Sequence, residues 1–388
     1  MIFVSGARAA FASLILVAGI ATAQEKPLPT PGIAQLADGV MRPSTALPGV
    51  TEALLPQAAP SAHAANFLLL RNGDLLCAWF AGSWEGSSGV GIALSRLKHG
   101  TRQWSKPQII DSRSGESFQN PVLFEESNGT LHIFHSTQPA GGSEDDARTL
   151  EVISKDGGQT WTAPRVMFAQ PGAYVRHPLV VLADGRWLLP ITFIRSKTTT
   201  ENAGKDFSAM ELSSDHGKTW KDCPVPASDG KIQPTVVELA PGNLLALFRS
   251  RGSDFIYRSE STDGCTWTAP TATSLPNNNA SVQMKHLRDG HLVLVFNNSK
   301  TVRKPVTIAV SRDGGKTWPF LRDLELGREG YGAAEGKPKT PGREEYSYPT
   351  VTQMRDGKII VAFTYRRETI KVMSFDESWI RTGRTANQ

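Results

Sequence analysis

The chain has 388 residues, 39% of them hydrophobic and 20% charged, with a formal net charge of +5. That length is ample for a large core, and the basic residues are scattered rather than bunched, which sets nucleic-acid binding aside. Past the N-terminal stretch no apolar run approaches membrane-spanning length, so the sequence predicts a mature chain without a membrane span.

In chain order, residues 1–23 read as a secretory signal. Arg8 precedes an apolar run over 9–21, and Ala21-Thr22-Ala23 offers a small-residue cleavage site after Ala23. This predicts a secreted or periplasmic protein. Residues 24–60 follow as an N-terminal extension, and 61–388 read as one domain.

Six copies of an apolar hairpin then succeed one another. They are NFLLLRNGDLLCAWF, NPVLFEESNGTLHIFHS, HPLVVLADGRWLLPITF, QPTVVELAPGNLLALFR, SVQMKHLRDGHLVLVFN and YPTVTQMRDGKIIVAFT. Their turn glycines are Gly73, Gly129, Gly185, Gly242, Gly290 and Gly357. Asn-Gly or Asp-Gly fills five of the six turns, as a tight hairpin with positive φ prefers. The glycines are 56, 56, 57, 48 and 67 residues apart, too far for one hairpin and suited to a four-stranded sheet with its loops. The repeat predicts an all-β, six-bladed β-propeller. A seventh blade stays open in 24–60 or 320–345, where the pattern lapses.

A second string alternates with the hairpins. It reads SKDGGQTW from Ser154, SSDHGKTW from Ser213, STDGCTW from Ser261 and SRDGGKTW from Ser311, with a decayed copy, SRLKHGTRQW, from Ser95. It falls at the turn between each blade's outer strands. Asp156, Asp215, Asp263 and Asp313 should accept backbone N–H bonds there, with Gly left-handed and Trp packed beneath. One or two carboxylates per turn are too few for calcium. Of the three cysteines, Cys77 sits in an apolar strand, while Cys223 and Cys265 lie near two of these turns and form a candidate pair.

In a propeller the first strand of each blade lines a central channel. The residues heading those strands are His63, Asn120, His177, Gln233, Ser281 and Tyr348. A convergent polar ring of this kind marks a ligand pocket. His63 suits general acid–base work. Two channel histidines are also candidate zinc ligands, although no metal-type spacing is present and the sequence predicts no cofactor.

The turn strings and hairpins resemble the Asp-boxes, or BNR repeats, of the sialidase superfamily, over nearly the whole mature chain. The resemblance implies a sialidase-like propeller and a carbohydrate-active enzyme. Sialidases clamp a sugar carboxylate with three arginines, use a Tyr paired with a Glu as nucleophile, and use an Asp as acid/base. QPTVVELAPGNLLALFRSR supplies Arg249, and TVRKPVTIAVSRDGGKTW supplies Arg303. EEYSYPTV supplies Tyr346, with Glu345 or Glu344 as the nearest activating carboxylate. The pattern departs in three places: SAHAANFLLL has His63 where the first arginine is expected, Gln233 replaces the catalytic Glu, and AGSWEGSSGVGIALSR offers Glu85 in place of the Asp, beside Trp84, which suits stacking on a sugar. These departures resemble the divergent BNR repeat-like branch, whose members include propellers acting on uronic-acid polysaccharides. The implied function is a secreted, exo-acting, sialidase-like glycoside hydrolase on glycans with an acidic sugar, working as a monomer. Tyr346, His63, Glu345 and Glu85 are then the catalytic candidates, with Arg249, Arg303, His177, Asn120, Gln233 and Trp84 holding substrate. The alternatives are a uronic-acid polysaccharide lyase or rhamnohydrolase using His63, and a non-catalytic glycan-binding propeller.

Overall fold

A computed structural model describes Met1 and residues 32–195, 205–327 and 344–383. Apart from Met1, the expected signal segment lies outside the described residues. The rest is a ring of six antiparallel sheets, a six-bladed propeller. Blade 1 runs through Ser61–Leu69, Leu75–Gly82, Gly91–Leu97 and Gln108–Asp111. Blades 2 to 5 repeat the pattern, beginning at Glu116–Glu125, Ala173–Val175, Lys231–Ala240 and Gln283–His286. Blade 6 comprises Tyr346–Gln353, Ile359–Tyr365 and Thr369–Phe375, and its fourth strand comes from the other end of the chain. Thr51–Leu54 pairs antiparallel with Thr369–Phe375, from Thr51 opposite Ser374 to Leu54 opposite Lys371. Part of the expected N-terminal extension therefore closes the ring. Of 320–345, the other place where a seventh blade stood open, residues 320–325 form the outer strand of blade 5 and 328–343 lie outside the described residues.

The core is six layers, one between each pair of neighbouring blades. In the second strand of blade 1, Leu75, Cys77 and Trp79 face the layer shared with blade 6. Leu76, Ala78 and Phe80 face the layer shared with blade 2. Both faces are buried, so these strands read as continuous apolar runs rather than as an alternation.

The first strands leave an unpaired edge along the channel, and polar side chains of neighbouring blades close part of it. Phe67 N–H donates to Thr350 Oγ1, Gln233 N–H to Thr192 Oγ1, and Met284 N–H to Thr235 Oγ1. A buried N–H without such a partner would be costly.

At the turns between outer strands the Asp-boxes behave as the sequence predicts. Asp313 Oδ1 accepts the N–H groups of Lys316 and Thr317, and Ser311 Oγ accepts that of Gly315, which is left-handed at φ 77°. Burial opposes the charge of Asp313, yet its hydrogen bonds from Thr317 hold the carboxyl down at about 2. Cys223 and Cys265 form a disulfide from the outer strand of blade 3 to the Asp-box of blade 4, and Cys77 is a buried free thiol.

Candidate active site

Four first strands carry a bulge at the same level of the channel. The register slips between His63 and Asn66, Gln119 and Val122, Ile232 and Thr235, and Ser347 and Thr350. At each slip one residue is left-handed: Ala64 at φ 59°, Asn120 at 51°, Gln233 at 51° and Tyr348 at 54°. In three of the four the next residue is proline, which has no N–H to give the ladder. A bulge reverses the side-chain alternation after it and re-aims a side chain. Asn120, Gln233 and Tyr348 all line one narrow pocket at this level.

The reversal corrects one expectation. Tyr346, the expected nucleophile, does not line the pocket. Its hydroxyl donates to Glu344 at 3.0 Å, its ring packs edge-on to Tyr365, and it belongs to the apolar layer between blades 5 and 6. Burial pushes its phenol well above the ordinary value. Tyr348, two residues on, stands in the pocket. Its ring faces His63 at 4.2 Å between centroids, and the guanidinium carbons of Arg176, Arg303 and Arg249 lie 5.3, 5.3 and 5.6 Å from its centroid.

Arg249 ends the second strand of blade 4. Its guanidinium donates to Asn279 Oδ1 at 2.8 Å, to Gln233 Oε1 at 3.1 Å, and to the phenolic oxygen of Tyr348. All three partners are neutral side chains, and among the described residues it makes no ion pair. Burial lowers its pKa from the ordinary arginine value.

Arg303 donates to Glu345 Oε1 at 2.6 Å and to the Asn279 carbonyl at 3.3 Å. Glu345 also takes Arg367 at 2.9 Å and the Ser347 hydroxyl at 2.8 Å. Burial opposes the charge of Glu345, yet Arg367 and Arg303 hold its carboxyl well below the usual range. Glu345 is thus a brace between two arginines rather than a partner of Tyr346. Glu85 lines the pocket and accepts from Arg367 at 2.6 Å. Its neighbour Trp84 is 56% exposed.

His63 is buried, with Nδ1 2.7 Å from Thr364 Oγ1. Burial, with Arg367 adding to it, keeps this imidazole neutral, well below its ordinary value. His177 lies elsewhere: its Nε2 is 3.1 Å from Ser281 Oγ, and its buried Nδ1 has no partner. The two channel histidines therefore share no partner, and neither belongs to a cluster able to hold a metal among the described residues. Asn120 is 4% exposed, and its Oδ1 has no hydrogen-bond partner.

Two important arginines escaped the sequence reading. Arg367 sits in the turn after Ile359–Tyr365 at φ 59°, and its carbonyl accepts the N–H of Ala62, next to His63. The paired arginines of TYRRETI were the available signal. Arg176 immediately precedes the His177-Pro178 pair. It is fully buried and donates to Ser281 Oγ at 3.2 Å and to the carbonyls of Ala65, Tyr348 and Pro349 at 3.0, 3.0 and 3.1 Å. Burial lowers it to about 10. Nothing in its local sequence marked it as a central tie.

A family model described as a BNR repeat-like domain matches residues 73–361. The chain belongs to the BNR repeat-like family. A sialidase from Micromonospora viridifaciens is 27% identical over 348 residues, a match covering 80% of this chain and 50% of that protein. The chain thus spans about half the length of that relative. The intramolecular trans-sialidase from Ruminococcus gnavus, solved with oseltamivir carboxylate, superposes with a TM-score of 0.65 at 16% identity, covering 84% of this chain and 97% of that one. A protein of unknown function from Dyadobacter fermentans has a TM-score of 0.65 at 19% identity, covering 84% and 99%. At these identities the solved structures establish the propeller fold. The family match and the 27% identical relative fit a divergent branch of the sialidase superfamily.

Proposed function

We propose that this BNR repeat-like protein is an exported glycan-active enzyme that cleaves at an acidic sugar by sialidase-type chemistry, with Tyr348 as the reacting hydroxyl. The observation that carries the reading is Arg249. It is a buried guanidinium with neutral partners only, one of them the Tyr348 hydroxyl. A buried charge without a counter-ion is costly, and a sugar carboxylate would supply one through the planar fork of the guanidinium. Arg303, braced by Glu345, lies 5.3 Å from the centroid of the same phenol ring.

In this scheme the carboxylate docks on Arg249 and Arg303, and the Tyr348 oxygen attacks the anomeric carbon while its proton passes to solvent. The glycosidic C–O bond breaks, and the leaving oxygen takes a proton from an acid on the Glu85 side of the pocket. Water then releases the sugar from Tyr348. Arg249 stabilises negative charge developing on the phenolic oxygen.

A second reading rests on His63. A neutral imidazole tilted against the Tyr348 ring beside two arginines suits proton removal next to a uronate carboxylate, the chemistry of a lyase. The test is to incubate the purified mature protein with a sialylated oligosaccharide and with an acidic polysaccharide, following products by mass spectrometry and ultraviolet absorbance. Release of a saturated acidic sugar, lost in Tyr348→Phe and retained in Tyr346→Phe, supports the hydrolase. An absorbing unsaturated product, lost in His63→Ala, replaces it with the lyase. If Tyr348→Phe leaves turnover intact, the central assignment fails.

A further inference from the structure

The channel has a second cavity, at its other end. It is lined by the outer halves of the first strands of all six blades and holds about 1500 Å³ of empty space, counting its open mouth. On the same measure the arginine pocket holds about 340 Å³. The two share no lining residue. Arg176 ties the strands together at the level between them, through Ala65, Tyr348, Pro349 and Ser281.

The walls of this second cavity differ from one side to the other. Blades 1 and 3 present apolar residues that water still reaches, Leu68, Leu69, Val180 and Val181, the last 51% exposed, and blade 2 between them adds the buried Leu123 and Phe124. Across the channel, blade 5 presents Lys285. Blade 5 stands opposite blade 2 in a ring of six, so the lysine faces the apolar wall.

Lys285 is the cation left over. Its side chain reaches solvent inside the mouth, and among the described residues it makes no hydrogen bond or ion pair. Desolvation by the surrounding walls lowers its pKa from the ordinary lysine value. The other charged side chains of the lining, and Gln283 with them, are engaged by the protein itself. Glu238 accepts the N–H groups of Ala183 and Gly242, and Gln283 accepts that of Val351. Arg288 donates to the carbonyls of Met354 and Arg355.

We propose that this cavity is a binding site for a monocarboxylate with an aliphatic body, its carboxylate on Lys285 and its chain against the blade 1 to blade 3 wall. A single unpartnered cation matches a single negative charge, and opposing walls of different polarity match an amphiphile rather than a sugar. Open apolar cavities with a few placed polar groups are the usual form of small-molecule sites. The site is independent of the chemistry assigned to the arginine pocket.

The test is calorimetric titration of the whole chain with sodium decanoate and, separately, with decanol. Decanoate should bind one to one, and decanol at least about tenfold more weakly. Lys285→Met should weaken decanoate at least about tenfold, one charge contact being worth of the order of 1.4 kcal/mol. Val181→Trp, which fills the apolar side and keeps the charge, should weaken both ligands. Arg249→Gln should leave decanoate binding unchanged. The proposal is overturned if the wild-type chain shows no saturable heat, if Lys285→Met binds as the wild type does, or if Arg249→Gln abolishes binding. Thermal melts confirm that each variant is folded before titration.

Discussion

The two ends of the channel are built from the same six strands and have opposite characters. At one end Asn120, Gln233 and Tyr348 point inward among buried arginines, in a tight polar pocket. At the other the same strands run on to their turns, with one further slip between Glu238 and Ala240 in blade 4, and leave a wide cavity with apolar walls and one lysine. The repeat is common to both. The difference comes from one extra residue in four of the six strands, left-handed and usually followed by proline, at the level of the pocket. The comparison teaches that a repeat of this kind fixes a frame, and that its local breaks decide where chemistry is placed.

The largest effect should come from breaking the polar end at its hub. Tyr348→Phe is expected to lower turnover of an acidic glycan by at least about 10²-fold, whereas Tyr346→Phe should stay within about threefold, because its hydroxyl serves only Glu344. Steady-state rates of the two variants decide this. Next is the brace. Glu345→Gln takes the shared carboxylate from half-buried Arg303 and buried Arg367, leaving Arg367 only Glu85, and should cost about 3 kcal/mol in denaturant unfolding. A cost under about 1 kcal/mol would mean that water already pairs those arginines.

Away from the channel, replacing Cys223 and Cys265 together by Ala frees the link between blades 3 and 4. It should cost about 2–4 kcal/mol, read as a lower denaturation midpoint, while turnover per folded molecule is kept. A smaller effect concerns pH. Burial opposes the charge of His132, yet Glu151 and Glu126, each 2.7 Å from its ring nitrogens, raise its pKa above the ordinary value. Its stabilisation is therefore complete below the ordinary imidazole value and lost as pH rises through the raised one. His63 and His177 have the opposite sign, because burial keeps them neutral. The unfolded chain takes up protons they cannot, so stability falls as pH drops below the ordinary imidazole value. Melting temperatures across this range for the wild type, His132→Gln and His177→Gln should separate the two slopes. The smallest effect sharpens the comparison from the other side. Lys285→Met should leave glycan turnover within about twofold, since Arg176 stands between the two cavities and their linings do not overlap.

Much of the frame was legible in the sequence. Hairpin turns need left-handed glycines, and Asp-boxes need a short carboxylate, a glycine and a tryptophan in fixed order, so both leave strings that repeat. The pairing of Cys223 with Cys265 was open because both lie beside those strings. The candidate site was legible in part, since Arg249, Gln233 and Asn120 sit at strand positions the repeat already marks and Arg303 lies just ahead of a strand that leads into an Asp-box. Tyr346 and Tyr348 were harder to tell apart. Two residues on one strand share a face unless a bulge intervenes, and the bulge at Ser347–Thr350 is a property of pairing with the neighbouring strand.

By itself the sequence determined the six hairpin repeats, the corners that hold them and the apolar layers between them, because each depends on contacts within one repeat or with the next; that no seventh blade forms from 51–54 or 320–325 was settled by ring closure. Tertiary structure alone decided the centre. Arg367 reaches Glu85 and Glu345, Arg176 reaches three other blades, Thr51–Leu54 closes the ring against the last blade, and Lys285 faces a wall from the opposite side. These contacts join residues far apart in the chain, and closure of the ring is what brings them together.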